Sequence, residues 1–153
     1  MTEKKVAIRP IGEGTALDHL PAGTALKILD IIKPGNSKIT VAVNVESKKM
    51  GRKDLLFMED RFLDDAEIDK ISLLAKGATL NIIKGEKIVK KEIIDYPHHG
   101  RMNGIIKCIN PNCISNREAI KSKFDLISES PLKAKCFYCE TIMDRNEIVR
   151  SIE

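Results

Sequence analysis

The sequence predicts an α+β fold in two parts, an antiparallel sheet domain with two helices and a small domain held together by a metal. Strand-like and helix-like segments alternate through the first two thirds of the 153 residues. A segment rich in Pro, Gly and Asn follows, and all four cysteines lie in the last third as two closely spaced pairs. Hydrophobic residues make up 42% of the chain, which is enough for a packed core.

The elements of the first domain follow from hydrophobic periodicity and turn residues. In chain order we predict a strand at 5–9, a turn at 12–14, a helix across 25–32, strands at 38–45 and 54–59, a helix from 64 or 65 to 74, and strands at 78–83 and 86–94. The order β-α-β-β-α-β with one added strand is the split βαβ, ferredoxin-like arrangement. Two helices would cover one sheet face, so the other face is left for solvent, a partner or a ligand.

The domain boundary is predicted at the segment DYPHHGRMNG, which combines turn residues with little hydrophobic periodicity. We therefore expect a first domain over 1–95, a linker over 96–104 and a second domain over 105–153. The second domain has few large apolar side chains, and a domain this small rarely folds without a metal ion or disulfides to stabilise it. A hairpin at 123–128 and 132–136 between the cysteine pairs predicts an all-β, zinc-ribbon-like domain.

The cysteine spacing predicts one structural Zn²⁺ site. The pairs are C-x4-C and C-x2-C, formed by Cys108, Cys113, Cys136 and Cys139. Two tight turns bearing thiolates place four sulfur ligands around one ion and leave no open position for water or substrate. Two disulfides are the alternative; they fit poorly because no secretory signal is recognisable and we expect a cytoplasmic protein, where thiols stay reduced.

The composition of the chain argues against two classes of function, nucleic-acid binding and a role in a membrane. The chain has 26 basic and 22 acidic residues, a formal net charge of +4, which does not make a strongly basic module. Nucleic acid is therefore not the expected partner. No apolar run is long enough to span a membrane, so no membrane role is expected.

A catalytic site is not apparent from motifs. The acid–histidine pair Asp18-His19 precedes a predicted helix and has a plain interpretation as a cap with a surface imidazole. The linker histidines His98 and His99 are interpreted as solvated, because the cysteine set is already complete. Two lysine runs are either solvated faces or a site for the phosphates of a small nucleotide. These runs contain Lys48, Lys49, Arg52 and Lys53, and Lys84, Lys87, Lys90 and Lys91.

Four ordered motifs give the sequence a family resemblance. They are GTALDHLPAG at 14–23, MGRKDL at 50–55, ATLNII at 78–83, and CINPNCI at 108–114 with CFYCE at 136–140. Together they resemble the regulatory chain of aspartate carbamoyltransferase over nearly the whole length. The resemblance implies a non-catalytic chain with an allosteric domain that pairs with a second copy. It also implies a zinc domain that docks on a catalytic chain, so that regulatory dimers bridge catalytic trimers.

The same resemblance implies a nucleotide site for ATP, which activates, and CTP, which inhibits, with UTP commonly reinforcing CTP. Carried over by position, the effector site would consist of Ile11, Asp18, His19, Lys53, Asn81, Ile83, Ile88 and Lys91. The family zinc ligands match the four cysteines. Relatives carry a nucleotide-contacting lysine where this chain has Phe57, so we expect weaker separation of CTP from ATP and little reinforcement by UTP.

Two other functions remain open at this point. A zinc-ribbon protein that binds nucleic acid is the second hypothesis, and binding to DNA that falls steeply with salt would identify it. A metal-dependent enzyme is the third, and it would require turnover by the isolated chain.

Overall fold

The computed structural model describes residues 12–97 and 99–153. The strand predicted at 5–9, the effector-site residue Ile11 and the linker residue His98 lie outside the described residues. The chain divides into two compact units. Within the described residues, the first unit runs to Leu63 and includes Ala78–Ile93, and the second combines Asp64–Gly77 with Ile94–Glu153.

The first unit is an antiparallel five-stranded sheet with one helix of its own. Its elements are β1 (Gly14–Pro21), α1 (Ala25–Ile32), β2 (Ile39–Ser47), β3 (Gly51–Glu59), β4 (Thr79–Lys84) and β5 (Lys87–Ile93). The strand order is β2-β3-β1-β4-β5, with β1 in the centre. This is the order of a split βαβ sheet with an added edge strand, and it confirms the predicted α+β class.

Strand β1 differs from the sequence prediction, which placed a turn at 12–14 and a lead into the helix after it. The backbone of Gly14 has φ +143°, and a Cβ there would lie 2.0 Å from the carbonyl oxygen of Met58. Glycine therefore allows β1 to approach β3 closely. The pairing with β3 shifts register between Leu17 and Leu20, and His19 in this interval has φ +57°. This bulge interrupts the alternation by which a strand is recognised.

The core of the first unit lies on one face of the sheet. Side chains of β1 and β3 that are fully buried share this layer with the buried stripe of α1. They are Leu17, Leu20, Leu56, Met58, Ala25 and Ile28.

At the end of α1, the guanidinium of Arg61 donates to the carbonyl oxygens of Ile32 at 3.1 Å and Lys33 at 3.2 Å. A cation at the carboxyl end of a helix satisfies its last carbonyls and its dipole.

The second unit contains a four-stranded antiparallel sheet and three helices. Its elements are α2 (Asp65–Ala75), β6 (Arg101–Asn103), α3 (Ile114–Arg117), β7 (Lys123–Glu129), β8 (Leu132–Cys136), β9 (Ile142–Asp144) and α4 (Arg145–Arg150), and the strands follow the order β6-β7-β8-β9. The prediction of an all-β second domain is therefore corrected, because α3 and α4 lie within 105–153. Strand β6 lies inside the segment predicted as a linker, because it pairs with β7.

Helix α2 begins with a capping box. Asp64 accepts from the backbone N–H of Glu67 at 2.8 Å, and the Glu67 side chain accepts from the N–H of Asp64 at 3.2 Å. The last turn of the helix is buried, and Leu73 belongs to the core of the second unit together with Met102, Ile106, Phe124, Met143 and Ile148. None of the helices in the described ranges is long and apolar enough to cross a membrane.

Candidate functional site

The four cysteines come together from two loops of the second unit. Cys108 and Cys113 lie on the loop that leads into α3; Cys136 ends β8, and Cys139 lies in the turn before β9. Their four Sγ atoms lie within 4.8 Å of one another. The Sγ atoms of Cys108 and Cys139 are 3.6 Å apart, and those of Cys113 and Cys136 are 3.7 Å apart.

These separations fit a tetrahedral metal and do not fit disulfides. A disulfide joins its sulfurs at about 2.0 Å, and all four cysteines are free thiols. Four sulfurs at about 2.3 Å from a central Zn²⁺ would be separated from each other by about 3.8 Å, close to the two distances found. The residues present therefore fit a four-thiolate metal.

Backbone and side-chain groups hold the first ligand loop in shape. The side-chain amide of Asn116 donates to the carbonyl oxygen of Cys108 at 2.8 Å and to that of Asn110 at 2.7 Å. The N–H of Cys113 donates to the same Asn110 carbonyl at 3.0 Å. Groups behind the ligands in this way fix the direction in which the thiolates point.

The surroundings of the thiols favour a bound cation. Burial raises the pKa of the Cys108 and Cys136 thiols, because a buried thiolate is poorly solvated. Burial acts in the same direction on Cys139, but hydrogen bonds from Thr141 and Asn110 outweigh it and lower the pKa of Cys139 to about 6. A divalent cation at the centre would stabilise all four groups as thiolates.

A second polar cluster lies on the face of the first sheet opposite the core. The ammonium group of Lys53 on β3 lies 2.8 Å from the Asp18 carboxylate on β1. The imidazole Nδ1 of His19 lies 3.1 Å from the hydroxyl of Thr79 on β4. Burial raises the pKa of the Asp18 carboxyl, but the hydrogen bonds from Lys53 and from the His19 backbone outweigh it, so its pKa lies below its ordinary value of 3.8.

One row of residues crosses this face from strand to strand. Phe57, Ala16, Asn81 and Lys91 are successive partners on β3, β1, β4 and β5. Residues directly opposite in antiparallel strands point to the same face, so these four side chains lie side by side. The Oδ1 atom of Asn81 is buried and has no hydrogen-bond partner. A buried carbonyl without a donor is rare, and this oxygen is able to accept one more hydrogen bond.

The predicted effector residues among the described ones thus lie on one sheet face. Ile83 is buried in a small cluster with Ala16, and its partner across the β4–β5 pair, Ile88, is 60% exposed. Other lysines of the two runs lie elsewhere. Lys84 stands over the ring of Phe62 at 5.5 Å, and Lys90 forms an ion pair with Glu92 at 2.5 Å.

One important residue was missed by sequence reasoning. Asp54 on β3 is 0% exposed, and its carboxylate accepts from the backbone N–H groups of Gly23, Ala25 and Asn44. It therefore ties β3 to the start of α1 and to the bulge in β2. A charged residue at the start of an apolar run, next to Lys53, was the available signal.

The fold and the sites together define a two-unit protein that combines a split βαβ sheet, with polar and apolar side chains on the face opposite its core, with a four-cysteine metal site. Residues 6–95 match the family model for the aspartate carbamoyltransferase regulatory chain, allosteric domain. Residues 100–149 match the model for the metal binding domain of the same chain.

Individual relatives can be aligned with this chain over nearly its full length. The aspartate carbamoyltransferase regulatory chain of Thermococcus sibiricus is 45% identical over 150 residues, which cover 97% of this chain and 99% of the relative. That of Pyrococcus abyssi is 45% identical over 156 residues, covering 99% and 100%, and that of Korarchaeum cryptofilum 39% over 155 residues, covering 98% of each. The chain belongs to the family of aspartate carbamoyltransferase regulatory chains. It is therefore the non-catalytic, metal-binding subunit of an enzyme complex, and its partner is a catalytic chain.

Proposed function

We propose that this chain binds ATP and CTP in competition on the face of its first sheet opposite the core and thereby modulates the catalytic chain. In this proposal the chain pairs with a second copy through the allosteric domain, 1–95, and the domain over 105–153, after the 96–104 segment, docks on catalytic trimers. Three such dimers would bridge two trimers in the cytoplasm. An effector can shift the activity only by binding differently to two states of this complex.

The observation that carries the effector site is the gradient of polarity across one sheet face. Asp18, Lys53 and His19 form a polar end that contains the Asp18–Lys53 ion pair. Ala16, Phe57 and Ile83 form an apolar patch. A nucleoside triphosphate has the same two parts, an anionic tail and a planar apolar base, so the two patches suit its phosphates and its base respectively. The unpartnered acceptor of Asn81 lies beside the apolar patch and suits a ribose or base donor.

The lysines of this face differ in how they are held. Lys53 is largely buried and already oriented by Asp18, whereas Lys91 is exposed on the edge strand β5. An oriented ammonium loses less conformational freedom when it binds phosphate, so we expect Lys53 to fix the position of the tail. Lys91 would add charge from the other side.

We further propose that the metal is Zn²⁺ and that its role is structural. The four-thiolate set occupies every position of a tetrahedral ion, so the ion holds the two ligand loops together. Exposed apolar side chains directly follow three of the ligands and are suited to a protein partner: Ile109, Ile114 and Phe137. A rigid domain with an apolar surface is suited to docking on a catalytic chain.

Calorimetry on the zinc-loaded chain tests the effector site. Lys53→Ala and Lys91→Ala should each weaken ATP and CTP together, because phosphate contacts carry no information about the base. A charge-assisted contact is worth about 1.5–3 kcal/mol, so we expect a loss of roughly ten- to a hundredfold in affinity. Lys48→Ala is the matched control, since Lys48 is exposed in the turn between β2 and β3. Unchanged affinity for both nucleotides in both variants would show that the phosphates bind elsewhere.

A further inference from the structure

Phe57 lies next to a part of the central strand β1 that carries only small side chains. Its neighbour on β1 is Ala16, and Gly14 lies two residues before Ala16 on the same face. Phe57 packs against the buried pair formed by Ala16 and Ile83, of which Ile83 belongs to β4 on the far side of β1. The small residues of β1 therefore leave room for the ring to lie across the strand.

The ring is not enclosed by the core. On the opposite side of β3, the neighbouring residues Leu56 and Met58 are fully buried, whereas Phe57 is only half-buried. Part of the Phe57 side chain packs against the Ala16–Ile83 pair, and part of it is exposed. A partly exposed aromatic side chain on a sheet face is a surface against which a planar base can stack.

Polar groups flank the ring at suitable distances. Neighbouring strands are about 4.8 Å apart, so Phe57 and Asn81, which lie on either side of β1, are separated by about 10 Å at their Cα atoms. A base that stacks on the ring would bring its edge toward the buried Oδ1 of Asn81, which has no donor. Lys91 follows one strand further along the same row.

We propose that Phe57 is the stacking platform for the base and gives a small preference for purine over pyrimidine nucleotides, smaller than the separation that a hydrogen-bonding lysine at this position gives. This inference rests on the proposed nucleotide site. The phenyl ring cannot hydrogen-bond a base oxygen, so it does not distinguish bases by their donors and acceptors. The contact area that a base offers to the ring distinguishes them, and a purine offers two fused rings where a pyrimidine offers one.

The test compares three ligands on the full-length, zinc-loaded chain: ATP, CTP and inorganic tripolyphosphate, which has no base. Phe57→Leu keeps an apolar side chain against Ala16 and Ile83 but removes the aromatic face. We expect it to weaken ATP by about three- to tenfold and CTP by less, so that the ratio of their affinities approaches one. Tripolyphosphate affinity should stay at its wild-type value, which also shows that the site is still folded. Phe57→Tyr keeps the ring and should behave as the wild type.

The outcomes separate this inference from the proposed function. If the wild type binds none of the three ligands, the proposed nucleotide site is refuted, and the proposed stacking role of Phe57 is refuted with it. If all three bind and Phe57→Leu leaves the ATP-to-CTP ratio unchanged, the platform alone is overturned. If Phe57→Leu binds tripolyphosphate poorly, the variant has disturbed the site as a whole. The proposal is then tested by NMR on the wild-type chain with ATP. A nuclear Overhauser effect between the Phe57 ring protons and base protons of ATP supports stacking, and its absence at saturation overturns it.

Discussion

Replacing Asp54 should destabilise the first unit more than any exposed carboxylate would. Its carboxylate is fully buried and accepts from Gly23 at 2.9 Å, Ala25 at 3.0 Å and Asn44 at 2.7 Å. Two of these donors are at the start of α1, whose N-cap residue Thr24 makes no side-chain capping bond. Asp54 thus replaces a local cap and also satisfies the bulge residue of β2.

The expected loss can be worked out from these contacts. A hydrogen bond to a charged group contributes about 1.5–3 kcal/mol, so three give an upper limit of about 4.5–9 kcal/mol. Removing the carboxylate also removes the cost of burying it, which lowers the net effect. We therefore expect Asp54→Ala to cost about 3–5 kcal/mol of a total stability of about 5–15 kcal/mol. Asp54→Asn keeps one acceptor oxygen and should cost less, about 1–3 kcal/mol.

Amide hydrogen exchange is the suitable assay because the chain has two units and need not unfold in one step. In Asp54→Ala, the amides of Gly23, Ala25 and Asn44 should lose protection, and the rest of the first sheet should exchange faster. Glu46→Gln is the control, since it removes the same charge from an exposed position on β2. A loss below about 1 kcal/mol, or wild-type protection of those three amides, would refute the role given to Asp54.

Two further predictions concern the second unit. Cys136→Ser, or a strong chelator, should unfold the chain beyond about Gly104 and abolish co-elution with the catalytic chain, while the first sheet keeps its exchange protection; zinc-site energies of about 10–16 kcal/mol decide whether so small a domain folds. Assembly by the metal-free chain would contradict a structural metal. The hydrogen bond from Arg101 lowers the pKa of Asp125, burial opposes it, and the charges of Arg101 and Lys135 lower it further, so the Asp125 carboxyl should titrate below 3.8 by NMR. This ion pair is complete at neutral pH and is lost as the pH falls through that lowered pKa, and Arg101→Gln should move the pKa up toward 3.8.

The metal site was predictable because its information is local. The spacing of Cys108 from Cys113, and of Cys136 from Cys139, places each pair on one turn whatever the rest of the chain does. The remaining geometric requirement was only that the two turns meet, and the β7–β8 hairpin between them brings this about. The same reasoning did not reveal α3 and α4, because helices of four and six residues are too short to show a period.

The sequence predicts the order of helices and strands along the chain, but it does not predict the position of the central strand β1. A strand is recognised from sequence by alternation, and β1 contains a bulge at His19 that shifts the pattern between Leu17 and Leu20. The glycine at its start was interpreted as a turn residue, although it is needed for close contact with β3. The bulge and the small side chains of β1, on which the proposed nucleotide site depends, are the features that hide this strand from sequence patterns.

Helix α2 shows most clearly what a hydrophobic pattern leaves undetermined. Its sequence predicts a helix from 64 or 65 to 74, and a helix with a capping box forms at Asp65–Ala75. The structure buries the whole last turn, Ile71 to Ala75, rather than one face. The pattern also does not indicate which neighbours bury the helix, because the hydrophobic effect is not specific to particular partners. Here Leu73 packs with Met102, Ile106 and Phe124, so the helix belongs to the second unit although it lies between two strands of the first. The packing partners of an amphipathic helix are set by shape complementarity across the folded core, which a single sequence does not display.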